Sequence, residues 1–286
     1  MMKYFEKHPM IMIVVGILGI SLSSILVKYA EAPSAVTAAF RLLWTVILMT
    51  PVVIGKKDVW EELQHTSKKT LILSCVSGLF LAVHFAVWFE SLHHTSVASS
   101  TTIVCTEVIW VSLGYCVFLK GKLTRRAIGA ITVTFAGSVM IALADSTTGG
   151  GHFYGDILAL IAAVAVAVYT LIGRVVRETA STVVYTYVVY VACAVILLLV
   201  CIVQGYHLFD YGISSLIVGL LLAVFSTILG HSIFSWCLKY FSPAFVSASK
   251  LCEPVVAAVL AAFLFGEIPA GMQLAGGLLI LGGVYY

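Results

Sequence analysis

Long runs of apolar residues, separated by short polar segments, recur along the whole chain. A transmembrane helix needs roughly 20 consecutive apolar residues. Ten runs fit this length, at about residues 9–30, 34–54, 70–92, 96–119, 125–144, 153–173, 182–203, 213–238, 243–265 and 270–286. They leave little chain for a water-soluble domain, since the longest loop covers about residues 55–69. The pattern therefore predicts an all-α integral membrane protein with ten transmembrane helices.

Composition agrees with this class and excludes several others. Of 286 residues, 61% are hydrophobic and 10% are charged, and the mean hydropathy is +1.09. Ordinary soluble domains have about 25% charged residues. The sequence contains no HExxH, GxSxG or P-loop motif, and its seven cysteines lie in apolar runs without a CxxC pair. We therefore expect no cofactor, no metal site and no enzymatic activity.

The basic residues predict the orientation of the helices in the membrane. Thirteen of the 16 Lys and Arg fall in segments on the side of the N-terminus, and only Lys28 falls on the opposite side. Arg41 and Lys250 remain, inside apolar runs. Short cytoplasmic loops carry an excess of basic residues. We expect a multi-pass protein of the plasma (inner) membrane with both termini cytoplasmic, and the net charge of +3 does not indicate nucleic acid binding.

The chain contains an internal repeat. Residues 84–140 resemble residues 231–286 at an offset of 146 or 147. The matched pairs are Glu107 with Glu253, Ser96 with Ser242, Ala98 with Ala244, Gly137 with Gly283, and, with a slip of one residue, His84 with His231. Because each half would hold five helices, an odd number, the second half must be inverted. Residues 1–146 and 147–286 are therefore predicted to form two inverted five-helix repeats, an arrangement common in secondary transporters.

Two segments carry a resemblance to a known family. The second run contains "AAFRLLWTVILM" and the ninth contains "CEPVVAAVLAAFLFGE". With the ten runs and the repeat, these segments resemble the drug/metabolite transporter superfamily, EamA type, over essentially the whole chain. One departure is the segment "VFLKGK" in the first half, which has no glutamate at Gly121. The resemblance implies alternating-access transport of a small metabolite, amino acid or drug, without selecting among them.

Lys250, Glu253 and Pro254 form the most unusual polar segment of the apolar runs. Lys250 and Glu253 are three residues apart, so they share a helix face. Pro254 has no N–H and leaves the carbonyl of Lys250 without its helical donor. Such a break is tolerated in a membrane only beside protein, water or ligand. We expect a helix break that faces a central cavity, with Lys250 and Glu253 binding the substrate; the alternative is a Lys250–Glu253 pair that fixes the helix to its neighbours.

Glu107 and two histidines extend this candidate site. Glu107 would face the same cavity from the other half, where desolvation favours the protonated carboxyl, as a proton carrier requires. His84 and Trp88 share a face of the third helix, and His231 takes the corresponding place in the eighth. Histidine titrates in the useful pH range, and Trp88 offers a π face to a cation. For each of these side chains the alternative is a hydrogen-bonded or packing role within the bundle.

Tyr169 and Arg41 complete the candidate residues. Tyr169 is a polar side chain in an otherwise apolar, small-residue segment, so it is a candidate to point at the cavity. Arg41 lies about a third of the way into the second run. The resemblance favours a structural role for Arg41, and the alternative is contact with an anion, for which its forked donors are suited.

Together these residues predict a secondary active transporter. A cavity with Lys250, Glu107 and Glu253 has charges of both signs, which suits an amino acid or similar zwitterion as the small-molecule substrate. Export is implied by the resemblance, and protons are a candidate coupling ion. The alternatives are a cationic, choline-like or drug-like substrate, and an intramembrane enzyme that modifies lipids with His84 or His231. Membrane lipid is the expected surrounding, and the sequence selects no oligomeric state.

Overall fold

The chain is helical throughout the part that the structure describes. The computed structural model describes residues 6–95, 97–145, 153–253, 255–256, 259–260, 263 and 271–285. Within these ranges there is no β-strand. The predicted all-α class is therefore confirmed.

The regular elements of the described residues follow one another with short connections. The first seven are α1 (Pro9–Lys28), α2 (Ser34–Gly55), α3 (Lys57–Gln64), α4 (Lys68–His94), α5 (Val97–Cys105), α6 (Glu107–Val117) and α7 (Arg125–Asp145). The next are α8 (Phe153–Val176), α9 (Thr182–Val203), α10 (Gly212–Leu221), a π-helical segment (Leu222–Ser232), α11 (Ile233–Cys237), α12 (Pro243–Lys250) and α13 (Gly271–Tyr285).

Six described helical stretches are long and apolar enough to cross a membrane. They are Pro9–Val27, Ser34–Gly55, Lys68–His94, Phe153–Val176, Thr182–Val203 and Gly212–Cys237. Shorter apolar helices at Ile103–Val117 and Leu274–Gly283 fall in the fourth and tenth predicted runs. The protein is thus a multi-helix membrane protein, while the count of ten transmembrane helices stays a prediction.

Local sequence signals explain where several helices begin. The side chains of Ser67, Ser181 and Ser242 each accept a hydrogen bond from the backbone N–H three residues later. These serines precede α4, α9 and α12, where N-terminal N–H groups have no helical acceptor. In α12 the next residue is Pro243, whose missing N–H is not needed in the first turn. Each cap sets the residue at which its helix begins.

The densest core lies between α2, α4, α8 and α9. Leu42, Phe85, Val166 and Leu197, one from each helix, are almost fully buried in this cluster. Close approach depends on a small residue at one point, because a Cβ atom on Gly78 would lie 2.6 Å from the carbonyl oxygen of Val189. This core supports one wall of the cavity described below.

A second close contact joins α7 to α13. A Cβ atom on Gly137 would lie 2.6 Å from the carbonyl oxygen of Gly276. Gly283 in turn packs against Thr134 of α7. Gly137 and Gly283 are the two glycines that the internal repeat matches. Small residues let helix backbones approach closely in membranes, so these two positions serve one helix pair.

The stretch Gly212–Cys237 changes its winding in the middle. Its residues Leu222–Ser232 form a π-helix, in which backbone hydrogen bonds span five residues instead of four. The hydroxyl of Thr227 donates to the carbonyl of Leu222, five residues earlier, over 3.3 Å. A π-helix widens the spacing of side chains along one face. Thr227 and His231 of this segment both reach toward the cavity region.

Candidate functional site

Two of the helices are interrupted at corresponding places in the two halves of the chain. The first interruption lies at Thr106, between α5 and α6, and Glu107 is the first residue of α6. In the second half α12 ends at Lys250, residues 251–252 form a turn, and the helical backbone resumes at Glu253. Each interruption therefore places a glutamate directly after it.

Shortened hydrogen bonds mark both interruptions. The N–H of Thr106 donates to the carbonyl of Ile103, and the N–H of Leu251 donates to the carbonyl of Ala248, both three residues back. The hydroxyl of Thr106 also donates to Ile103 over 2.6 Å. Such side-chain bonds compete with the helical pattern. Pro254, the predicted cause of the second break, lies outside the described residues, so its role stays a prediction.

A cavity lies beside both interruptions. It contains about 470 Å³ of empty space, including the part open to the outside. Residues from α1, α2, α4, α5, α6, α8, the π-helical segment and α12 line it. Seven of the residues singled out from the sequence are in this lining: Arg41, His84, Trp88, Glu107, His231, Lys250 and Glu253. The structure thus brings together candidates that are far apart in the chain.

Lys250 and Glu107 form an ion pair across the cavity wall. The Lys250 Nζ atom lies 2.9 Å from Glu107 Oε1, and both side chains are nearly excluded from solvent, at 11% and 6% exposure. Oε1 has no partner with hydrogen-bond angles in the described part of the chain, so the contact is one between charges. The same Nζ atom lies 5.4 Å from the ring centre of Phe234. The partner of Lys250 is therefore the carboxylate of the other half, rather than Glu253.

Glu253 is in a different position from Glu107. It lines the cavity and is half-buried, and no basic group among the described residues lies within 4.0 Å of its carboxylate. A charged group removed from water is costly unless it is paired. Glu253 is thus the acidic group of the cavity that is left for water, a proton or a ligand.

The aromatic candidates form one connected group. The rings of His84 and Trp88 are stacked, with centres 5.7 Å apart and planes at 16°. The centres of the two histidine rings, His84 and His231, are 6.3 Å apart. His84 Nδ1 lies 3.0 Å from the carbonyl oxygen of Ala162, which fixes the orientation of this ring. The indole N–H of Trp88 is buried and has no acceptor among the described residues.

Tyr169 stands behind this group rather than in the cavity wall. Its ring centre lies 6.0 Å from that of His231, and its hydroxyl forms a hydrogen bond of 2.8 Å with Ser235. Tyr169 is 4% exposed and is not among the residues that line the cavity. The structure places it where it supports His231.

Arg41 is almost completely buried, at 1% exposure, and is held on three sides. Its Nε donates to Thr227 Oγ1 over 2.7 Å, and its Nη1 donates to Ser23 Oγ over 3.3 Å. The guanidinium carbon lies 4.1 Å from the ring centre of Phe85. An arginine at the bilayer centre costs roughly 2.5–3.5 kcal/mol on insertion scales. This position is thus built around a buried positive charge.

Some contributors were not found from the sequence. Ser23, Thr101 and Thr227 line the cavity or hold Arg41, yet serine and threonine are common in membrane helices and carry no distinguishing signal alone. The π-helical winding at Thr227 also has no sequence signature that we recognised. A cavity of this kind, with opposite charges between membrane-length helices, is typical of a membrane transporter.

Comparison with known proteins identifies the family. The model of the EamA-like transporter family matches the chain twice, over residues 8–143 and 153–286. The chain therefore belongs to the EamA-like transporter family, which agrees with the resemblance to the drug/metabolite transporter superfamily. The two matches divide the chain near the predicted boundary between its halves.

Individual relatives are distant but cover much of the chain. An uncharacterized transporter of Clostridium kluyveri is 24% identical over 246 residues, 84% of this chain and 78% of that protein. A probable amino-acid metabolite efflux pump of Salmonella typhimurium is 30% identical over 186 residues, 61% of each chain. A solved crystal structure of 16% identity has a TM-score of 0.80 and covers 97% of this chain and 95% of that one, which shows a shared fold.

Proposed function

We propose that the protein is a secondary active transporter of an amino acid or similar zwitterion, and that it works by alternating access. The observation that carries the proposal is the distribution of charge in the cavity. The charges of Lys250 and Glu107 cancel in one ion pair. Arg41 and Glu253 remain, of opposite sign, and neither has an ion-pair partner within 4.0 Å in the described part of the chain. A ligand with a carboxylate and an ammonium group would complement both.

The proposed transport cycle uses protons and two inverted halves. Glu253 can accept a proton in place of a cationic partner, because a buried carboxyl without a counter-charge is favoured in its neutral form. The interrupted helices beside Glu107 and Glu253 support a site between two inverted five-helix repeats, residues 1–146 and 147–286. We further propose ten transmembrane helices, with both termini in the cytoplasm of a plasma (inner) membrane. Export is the proposed direction, supported by the printed name of the Salmonella relative.

One observation favours a second candidate substrate. The stacked rings of His84 and Trp88 lie in the same cavity as Glu253, which would also suit a cationic, choline-like molecule. Such a ligand would leave the buried charge of Arg41 without a partner. The zwitterion accounts for both residual charges, so it is the preferred substrate.

A substrate screen in proteoliposomes tests the proposal. Purified protein would be reconstituted, and the release of labelled amino acids, amines and sugars would be followed with and without an imposed pH gradient. We expect the pH gradient to accelerate the release of at least one neutral amino acid. Glu178→Gln is a matched control, because Glu178 is an exposed acid outside the spanning helices. Transport of amines alone would favour the second candidate, and transport of none of the three classes would contradict both.

A further inference from the structure

Arg41 has one guanidinium nitrogen that the protein does not use. Its Nε and Nη1 atoms donate to Thr227 and Ser23, and its plane is packed on Phe85. These three contacts fix the direction of the remaining nitrogen, Nη2. Nη2 is buried and has no acceptor among the described residues. A rigidly held donor that lacks an acceptor is rare in native structures and calls for an explanation.

Trp88 has the same deficit on the same cavity. Its indole Nε1 is buried without an acceptor in the described part of the chain, although its ring is stacked on His84. Arg41 and Trp88 both line the cavity. By contrast, the indole N–H of Trp44 donates to the carbonyl of Leu216 over 3.1 Å. An unpaired indole N–H is therefore specific to the cavity in this comparison.

The chemistry of the two donors selects one kind of ligand group. A guanidinium group and an indole N–H can only donate hydrogen bonds. Arg41 adds a positive charge, whereas the charge of Lys250 is already balanced by Glu107. The missing partner must therefore accept two hydrogen bonds and carry a negative charge, which a carboxylate does.

We propose that Arg41 and Trp88 form the subsite for the carboxylate of the transported substrate. This inference rests on the proposed function and assigns to Arg41 the anion contact that Lys250 had been expected to make. Arg41 Nη2 and Trp88 Nε1 each donate one hydrogen bond to the carboxylate. The amino end of the substrate then lies toward Glu253. The ion pair of Lys250 and Glu107 supports the cavity without binding the carboxylate.

Matched ligands and matched variants test this subsite. Each neutral amino acid would be compared with the amine that lacks its carboxylate and with the acid that lacks its amino group. Binding would be measured on purified full-length protein by isothermal titration. Trp88→Phe removes the N–H but keeps an aromatic ring, and Trp110→Phe is the control, because Trp110 is 37% exposed on α6. Arg41→Lys keeps the charge but removes the fork.

We expect Trp88→Phe to weaken the binding of amino acids and acids by about tenfold or more, as the loss of a charge-assisted hydrogen bond does. The affinity for amines should not change, and Trp110→Phe should bind like the wild type. Arg41→Lys should show the same selectivity. If that variant does not fold, because Arg41 also holds Thr227 and Ser23, Trp88→Phe carries the test alone.

Three results would overturn the subsite. They are wild-type protein that binds no carboxylate-bearing compound, unchanged affinity for acids in Trp88→Phe, and equal losses for acids and amines. Reconstituted transport separates this inference from the proposed function. If amino acids are transported but Trp88→Phe binds acids normally, only the subsite is wrong. If no amino acid is transported but acids bind in a Trp88-dependent way, the subsite stands and the transported substrate is of another class.

Discussion

Glu107 and Glu253 each follow an interruption in a helix, and the internal repeat matches them, but their surroundings differ. Glu107 lies 2.9 Å from the ammonium group of Lys250 and is nearly inaccessible to solvent. Glu253 is half-buried beside the cavity, and no basic group in the described ranges lies within 4.0 Å. The difference comes from one residue, because the repeat position of Lys250 is Val104 in the first half.

This asymmetry separates two tasks that a symmetric site would combine. The paired carboxylate of Glu107 joins the two halves of the chain and has little reason to change its charge. The unpaired carboxyl of Glu253 is available to a proton or a substrate. Equivalent positions in a repeat therefore do not imply equivalent functions, and the following predictions test the distinction from the largest expected effect to the smallest.

The largest effect should come from removing the paired carboxylate. Glu107→Gln leaves the ammonium group of Lys250 buried without a partner, and breaking such a pair typically costs about 3–5 kcal/mol. We expect a clear fall in the thermal unfolding midpoint of the purified protein. The double variant Glu107→Gln with Lys250→Met removes both charges and should recover most of the loss. Equal destabilisation by Glu107→Gln and Glu253→Gln would contradict the asymmetry.

The second effect concerns coupling rather than stability. Glu253→Gln removes the proposed proton carrier but no ion pair, so the variant should stay folded. We expect its gradient-driven transport to fall to the level measured without a pH gradient, while exchange of substrate across the membrane continues. Flux in proteoliposomes, with the pH gradient imposed and then collapsed, measures both activities. A Glu253→Gln variant that still responds fully to the gradient would show that the proton is carried elsewhere.

A third variant moves the cation from one half to the other. Val104→Lys with Lys250→Val should place the ammonium group near Glu253 and leave Glu107 unpaired, because Val104 also lines the cavity. We expect this protein to be less stable than the wild type by about 1–3 kcal/mol, since a larger side chain must repack the site. Adding Glu253→Gln should then destabilise it more than adding Glu107→Gln, as measured by thermal unfolding. The reverse order would mean that the two breaks are not related by the repeat.

The smallest effect should come from Tyr169→Phe. Its hydroxyl bonds to Ser235 behind the cavity wall, and one such hydrogen bond contributes about 0.5–1.5 kcal/mol. We expect a small fall in the unfolding midpoint and a KM for transport within about twofold of the wild type. A much larger change in KM would place the hydroxyl in contact with the substrate, as the sequence analysis had expected.

The helical class and the location of the site follow directly from the sequence. Apolar runs of membrane length predict helices, and an ionisable residue within such a run is costly enough to be conspicuous. Arg41, Glu107 and Lys250 could therefore be selected without a structure. The matched glycines Gly137 and Gly283 likewise reflect the contact between α7 and α13.

The partners within the site could not be predicted in the same way. Lys250 and Glu253 share a helix face in sequence, yet the ammonium group of Lys250 pairs with Glu107 from a distant segment. Helical spacing identifies neighbours on one helix but does not indicate which helices pack together. The break at Thr106 was also missed, because no proline marks it and its hydroxyl bond to Ile103 is a weak signal.

The contact between Glu107 and Lys250 also has a consequence for the biosynthesis of the protein. Roughly 140 residues separate the two, so at typical elongation rates Glu107 leaves the ribosome on the order of ten seconds before Lys250. During this interval the nascent first half has to hold its carboxyl group without the lysine that later neutralises it. Completion of the second half thus provides the counter-ion of the first. A ribosome that stalls between the halves would leave an unpaired acid in the lipid bilayer, which membrane quality control can recognise.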